Sequence, residues 1–302
     1  MPDIIETPAP TDADFSGLWI PLVTPFRQGD NTGQVDLPAI TALVQQLAAD
    51  GIKGFVVCGS TGEAAALDKT EQLQVLDATL KAAPGLPVVM GLSGYNLKET
   101  SAWVRELGTW PIDGLLVPPP HYVRPSQAGL LHWFITLADA SAVPLMVYDI
   151  PYRTGVTIER QTLRELAQHP RIQAIKDCGG DAAKTLALIA QGKLQVLAGE
   201  DLQMFATVAQ GGVGAIAASA HLATTRFVRL VELLRAGQLA EARGLWTSLV
   251  PLVEAVFAQP NPGPVKGVLA HQGLVRNVLR APMTASSSEH VAQMVCLLQA
   301  LA

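Results

Sequence analysis

Apolar runs of four or five residues, each ending in a polar or glycine-rich turn, recur eight times along the chain. Trp19 to Val23 leads into Thr24-Pro25-Phe26, and Gly54 to Cys58 into Gly59-Ser60-Thr61-Gly62-Glu63. Pro87 to Met90, Gly114 to Val117 and Pro144 to Tyr148 follow, the last leading into Asp149-Ile150-Pro151. Ile172 to Lys176, Leu194 to Ala198 and Gly214 to Ala218 complete the set. The runs are apolar throughout rather than alternating, as strands buried on both faces of a parallel sheet are. Amphipathic stretches with helical spacing lie between them: Leu37 to Asp50 ending at Gly51, Asp68 to Ala83, and Ile158 to Gln168 with Thr157 placed to cap it.

Eight such alternations predict an α/β fold, a (β/α)8 TIM barrel over residues 15–236. A doubly wound open sheet is the alternative, but no GxGxxG or P-loop pattern follows the first run, so a nucleotide site has no support. After the eighth run no strand signal remains. Thr225 to Ala236, Leu239 to Phe257, Pro264 to His271 and Ser288 to Leu301 all read as helices, so residues 237–302 are expected to form a C-terminal helical extension. Proline density between Gln259 and Pro264 demands a loop there. Residues 1–14, with three prolines and no apolar core, read as a loose tail and not as a signal peptide.

Composition narrows the partners. Charged residues make up 16% of the chain, below the usual quarter, so part of the surface is expected to be buried between subunits of an oligomer. The net charge is −5 and no Lys/Arg run exists, which argues against nucleic acid. No run of eighteen apolar residues occurs, so no membrane span is expected. Cys58, Cys178 and Cys296 are few, odd in number and widely spaced, which fits a reduced, cytoplasmic setting. The six histidines form no HxH or HxxxH pair with a carboxylate, so no metal is expected.

In a barrel, chemistry sits where the strands end. Lys176 closes an apolar run, and burial there lowers an amine's pKa and frees its lone pair to attack a carbonyl carbon. The bland alternative is a lysine that snorkels to solvent or pairs with Asp177, although strand alternation puts those two residues on opposite faces. Tyr148 ends the preceding run and could pass protons at the same rim, or be a buried tyrosine with a satisfied hydroxyl. Gly59 to Glu63 offers hydroxyls and amides for a carboxylate, or an ordinary helix cap with Glu63 in the first turn. Arg153, just past the fifth run, could clamp a second carboxylate or simply be solvated.

Taken together, Thr24-Pro25-Phe26, Gly59-Ser60-Thr61-Gly62-Glu63, Tyr122 to Gln127, Tyr148-Asp149-Ile150-Pro151, Ile175-Lys176-Asp177, Gly199-Glu200-Asp201 and Pro260-Asn261-Pro262 resemble the dihydrodipicolinate synthase / N-acetylneuraminate lyase family. The likeness runs from Gly17 to Pro282. It implies a class I lyase in which Lys176 forms an imine with pyruvate, with no other cofactor. Tyr148, Ser60 and Tyr122 match the family's proton relay, and Tyr122 matches a residue that reaches into the neighbouring subunit's site of a homodimer or homotetramer. Ser60 and Thr61 match the groups that hold the pyruvate carboxylate. Ile216 matches a position whose main-chain carbonyl faces the site, and Gly199 lies in a matched segment of the rim. Arg153 matches the arginine that the synthase branch uses for the carboxylate of aspartate semialdehyde. The resemblance therefore implies condensation of pyruvate with that aldehyde. An aldolase or dehydratase acting on 2-keto-3-deoxy sugar acids or N-acetylneuraminate is the alternative, and a non-catalytic 2-oxo-acid-binding barrel is the alternative of another class. Ser60 replaces the usual synthase threonine, and His121 stands where some synthases carry a second tyrosine. Lys69, Gln72 and Tyr95 replace residues of the family's lysine-feedback pocket, which implies loss of that regulation.

Overall fold

In the computed structural model, residues 13–27 and 33–301 are described. Eight strands close into a barrel in chain order, every neighbouring pair parallel, with the eighth paired to the first. They are β1 (Gly17–Pro21), β2 (Gly54–Val57), β3 (Val88–Gly91), β4 (Gly114–Val117), β5 (Leu145–Asp149), β6 (Ile172–Asp177), β7 (Gln195–Ala198) and β8 (Gly214–Ile216). The surrounding helices are α1 (Leu37–Ala49), α2 (Lys69–Ala82), α3 (Leu97–Leu107), α4 (Gln127–Ala140), the one-turn α5 (Pro151–Thr154), α6 (Arg160–Leu166), α7 (Ala182–Gln191), α8 (Met204–Ala209) and α9 (Thr224–Arg235). Three more, α10 (Leu239–Phe257), α11 (Gly263–His271) and α12 (Ser288–Leu301), pack on one another and against α8 and α9. The (β/α)8 barrel with further C-terminal helices is the fold observed.

The unbroken apolarity of the strands has two destinations. Trp19, Val56, Val89, Leu116, Met146, Leu197 and Ile216 fill the barrel interior, while Ile20, Phe55, Val57, Leu115, Val147 and Ile175 face the helices in a larger outer core. Polar residues set the helix starts: Asp68 and Glu71 form a reciprocal capping box on α2, and Asn96, Ser126 and Asp181 cap α3, α4 and α7.

Several boundaries differ from the sequence pattern, because apolarity reports burial and not hydrogen bonding. β1 runs Gly17–Pro21 rather than Trp19 to Val23; Leu22 and Val23 are buried beyond the strand, where Val23 N–H donates to His221 Nε2 at 3.3 Å. β2 stops before Cys58, whose φ of 52° is left-handed. Thr157 does not cap α6, which starts at Arg160. The Gln127 side chain, at the start of α4, instead ties down the segment leading into α6: Nε2 donates to Thr157 O at 3.0 Å, and Oε1 accepts from Glu159 N at 3.0 Å and Thr162 Oγ1 at 2.7 Å. Glu63 is not in a first helical turn, since it sits at φ 53° ahead of a single 3-10 turn over Ala64–Ala66.

Of the expected tail, residues 1–12 lie outside the described residues, and the last two positions are anchored. Ala13 exchanges hydrogen bonds with Gln173 Oε1 at 3.1 Å and Gln195 Nε2 at 2.6 Å, and Asp14 pairs with Lys53 at 2.8 Å. Cys58, Cys178 and Cys296 are free thiols. Among the described residues no helix is long and apolar enough to cross a membrane.

Candidate active site

Among the described residues three lysines are buried, and two of them pair with carboxylates. Lys184 pairs with Asp149, and Lys266 with Glu63 at 2.6 Å. Lys176, on β6, is 5% exposed and has no carboxylate within ion-pair distance among the described residues. Asp177, its neighbour, faces the helix layer and accepts from Thr185 Oγ1 and from Gly179 N at 2.8 Å, so the alternative Lys176–Asp177 pair does not form. Burial pushes the Lys176 amine below its ordinary value of 10.5, against a partial upward pull from Cys178, Asp201 and Glu200. The neutral amine that a carbonyl addition needs is thereby favoured.

Tyr148 is level with Lys176 in the β5–β6 register. The Lys176 Nζ lies 4.5 Å from the centre of the Tyr148 ring. The phenol is itself buried, which pushes its pKa well above 10.0. Its oxygen is 3.3 Å from Ser60 Oγ on the turn after β2, so the two hydroxyls can exchange a proton. That turn is bracketed by two non-glycine residues in the left-handed region, Cys58 and Glu63, a conformation that survives only where the surroundings hold it.

The surroundings are specific. Thr24 Oγ1 donates to Gly62 O at 2.7 Å. Asn261, in the loop before α11, donates from Nδ2 to Thr61 Oγ1 at 2.8 Å. Lys266 donates to Thr24 O at 2.8 Å as well as pairing with Glu63, and Arg280 N donates to the other Glu63 oxygen at 3.1 Å. Gly199 is confined by Cys178 and Lys176: a Cβ there would stand 2.4 Å from Cys178 Sγ, 2.7 Å from Lys176 Cγ and 3.1 Å from Lys176 Cε, so any side chain would have to shift one or both. Ile216 ends β8 in the same inner cluster as Tyr148 and Cys178.

A cavity of about 260 Å³ opens beside the Ser60–Tyr148 pair, which lines it together with Leu92, Pro118, His121 and Arg153; Lys176, Thr61, Gly199 and Ile216 are not among its lining residues. Arg153 lies on α5 with its guanidinium 5.5 Å from the Tyr152 ring, and the Tyr152 hydroxyl donates to Glu200 Oε1 at 3.0 Å. A larger cavity of about 410 Å³ lies at the opposite end of the barrel, where β6 and β7 begin, and holds no comparable set of reactive groups. Tyr122 is 88% exposed at φ 75° and does not line the cavity beside Ser60 and Tyr148. No cluster of three or more His, Cys, Asp and Glu side chains that could hold a metal exists among the described residues.

The structure thus brings together Lys176, Tyr148, Ser60 and Gly199, places Thr61 and Arg153 at the rim, and leaves Tyr122 on the surface. Asn261, Lys266 and Tyr152 were not anticipated as contributors. Lys266 had a signal like that of Lys176, a lysine in an apolar stretch, Pro264-Val265-Lys266-Gly267-Val268-Leu269.

A family model described as the dihydrodipicolinate synthetase family matches residues 14–301. The chain belongs to that family. Named 4-hydroxy-tetrahydrodipicolinate synthases of Haloarcula marismortui and Enterococcus faecalis are 35% and 34% identical to it; the first match covers 93% of this chain and 92% of the relative, the second 92% and 96%. Among solved structures, the dihydrodipicolinate synthase of Thermotoga maritima superposes with a TM-score of 0.90 at 27% identity, over 95% of this chain and 98% of that one. The enzyme of Acinetobacter baumannii, solved with pyruvate, gives 0.91 at 28% over the same shares. Family membership agrees with the barrel and with the lyase chemistry expected of a buried amine.

Proposed function

We propose that this protein is a 4-hydroxy-tetrahydrodipicolinate synthase, a class I lyase that condenses pyruvate with L-aspartate 4-semialdehyde. The observation that carries the chemistry is the unpaired, desolvated Lys176 amine in register with Tyr148, whose hydroxyl meets Ser60. The amine adds to C2 of pyruvate. Loss of water from the carbinolamine gives an imine, and Tyr148, in exchange with Ser60, hands over the protons this requires. Turn amides after β2 and the Ser60 and Thr61 hydroxyls receive the pyruvate carboxylate. A methyl proton then leaves, and the enamine carbon attacks the aldehyde. Cyclisation by the substrate's own amine displaces Lys176 and frees the product. The covalent imine is the electron sink, so no further cofactor takes part.

Arg153 supports the choice of aldehyde, since a guanidinium on the cavity wall suits the semialdehyde carboxylate. Tyr122, exposed in one chain, is assigned to the relay of a neighbouring copy, so the working unit is a homodimer or a larger assembly of dimers. A reducing, cytoplasmic setting suits the three free thiols.

Borohydride reduction in the presence of pyruvate should add mass to Lys176, and turnover should require pyruvate together with aspartate semialdehyde. Failure with the semialdehyde but efficient cleavage of a 2-keto-3-deoxy sugar acid would move the protein to the sugar-acid branch. No adduct at all would leave a pyruvate-binding barrel without catalysis.

A further inference from the structure

Two carboxylates stand one residue beyond the two side chains at the heart of the site. Asp149 follows Tyr148 on β5, Asp177 follows Lys176 on β6, and the strands pair Tyr148 with Lys176 and Asp149 with Asp177. Alternation sends the first pair into the barrel and the second outward. Consecutive residues of α7 receive them there: Lys184 Nζ bonds Asp149 Oδ2, and Thr185 Oγ1 bonds Asp177 Oδ2.

The remaining bonds close the unit. Lys184 also donates to Ile158 O at 3.3 Å, Gly179 N donates to Asp177 Oδ1 at 2.8 Å, and Cys178 N donates to Asp149 O at 2.8 Å. A Cβ on Gly179 would stand 2.8 Å from both Asp149 Oδ2 and Lys184 Nζ, so the segment after β6 is wrapped tightly around the ion pair. The side chains of Asp149 and Lys184 are 0% and 4% exposed. Burial pushes the Asp149 carboxyl up, opposed by Lys184.

Such a pair is weak evidence for stability, since well-packed apolar residues in its place are often neutral or stabilising, and in some proteins a buried pair instead selects one geometry over its neighbours. Here the geometry selected is the relative position of two strand ends. We propose that Lys184 and Thr185 are positioning residues: by gripping Asp149 and Asp177 from one helix they hold the Tyr148 phenol against the Lys176 amine. The proposal rests on Lys176 and Tyr148 being the reacting pair. A shift of the order of 1 Å at reacting atoms is enough to cost orders of magnitude in rate.

The test is the charge-free double variant Asp149→Asn/Lys184→Met beside Asp149→Asn/Lys184→Gln, which keeps a neutral hydrogen bond. With the methionine, the rate of borohydride-trapped adduct formation and kcat should both fall about tenfold or more at unchanged KM for the semialdehyde. With the glutamine, both rates should recover to within about threefold of the parent at a similar melting temperature. Equal rates in the methionine variant and the parent would overturn the proposal, as would equal losses in the two doubles. Should the methionine variant not fold, Thr185→Val decides: a fall of about fivefold in both rates is expected, and parental rates overturn it. If the parent protein itself forms no adduct on Lys176, the reading of the site has failed, an outcome distinct from any of these.

Discussion

Lys266 Nζ lies 2.6 Å from Glu63 Oε1, with both side chains sealed from solvent and 203 residues apart in the chain. The bond joins α11, in the C-terminal helices, to the end of the turn that carries Ser60 and Thr61. Removing one partner strands a buried charge. Lys266→Met should therefore lose about 3–5 kcal/mol of stability, while Glu63→Gln/Lys266→Met should regain much of it. Urea midpoints of the three proteins measure this. A single variant as stable as the parent would mean that Arg280, which also donates to Glu63, satisfies the carboxylate alone.

Arg153 is offered as the group that reads the aldehyde's carboxylate. Arg153→Ala should raise KM for aspartate semialdehyde by about 10- to 100-fold, the worth of a hydrogen bond to a charged group. The pyruvate adduct on Lys176 should form as before. Steady-state kinetics in both substrates, with adduct mass as the control, would expose a loss of pyruvate handling and so reassign the residue.

Tyr122 should act in trans. Tyr122→Phe alone and Lys176→Ala alone should each be nearly inactive, since a positioned proton-transfer group is worth about 10²–10⁴-fold. Hybrids formed by unfolding and refolding the two together contain one site with an intact Lys176 and a partner's intact Tyr122. Activity should reappear in the mixture. If it does not, Tyr122 serves its own chain or none.

His221 and Asp201 hold the segment after β8. His221 Nδ1 contacts Ala218 O at 2.9 Å, and Asp201 accepts from Ser219 N at 2.8 Å. Burial pushes His221 down to about 4 from its ordinary 6.5, and pushes Asp201 up to about 6 from 3.8. Between about pH 4 and 6.5 the unfolded chain binds a proton at His221 that the folded one refuses, so stability falls as pH drops, by about 1.4 kcal/mol per unit. Between 3.8 and about 6 the folded chain holds a proton at Asp201 that the unfolded one lacks, so stability falls as pH rises. The two nearly cancel over the shared range. His221→Gln removes the first and leaves the second. Its stability should drop from about pH 4.5 to 6 by about 2 kcal/mol more than the parent's. Parallel profiles for parent and variant would show that His221 titrates normally.

The barrel was legible because its signal is local. A strand buried on both faces must be apolar at every position, as Leu115, Met146 and Val147 are, and the helices between strands declare themselves by periodicity and caps. Lys176 was legible for the same reason, as a cation where only apolar residues belong. The bounds of β1 and the start of α6 were not, because Val23 and Thr157 bond to His221 and Gln127, which are distant in the chain.

What the sequence alone determined is the architecture and Lys176 as a candidate amine, since both follow from the burial that a residue type demands; the class of chemistry came from the resemblance of its rim segments to a known family. Only the tertiary structure decided which lysine is free. Lys176, Lys184 and Lys266 all stand in apolar stretches, and their difference lies in Asp149 and Glu63, 35 and 203 residues away from the lysines they neutralise. A charge is paired through space, and a one-dimensional pattern carries no distance between its parts.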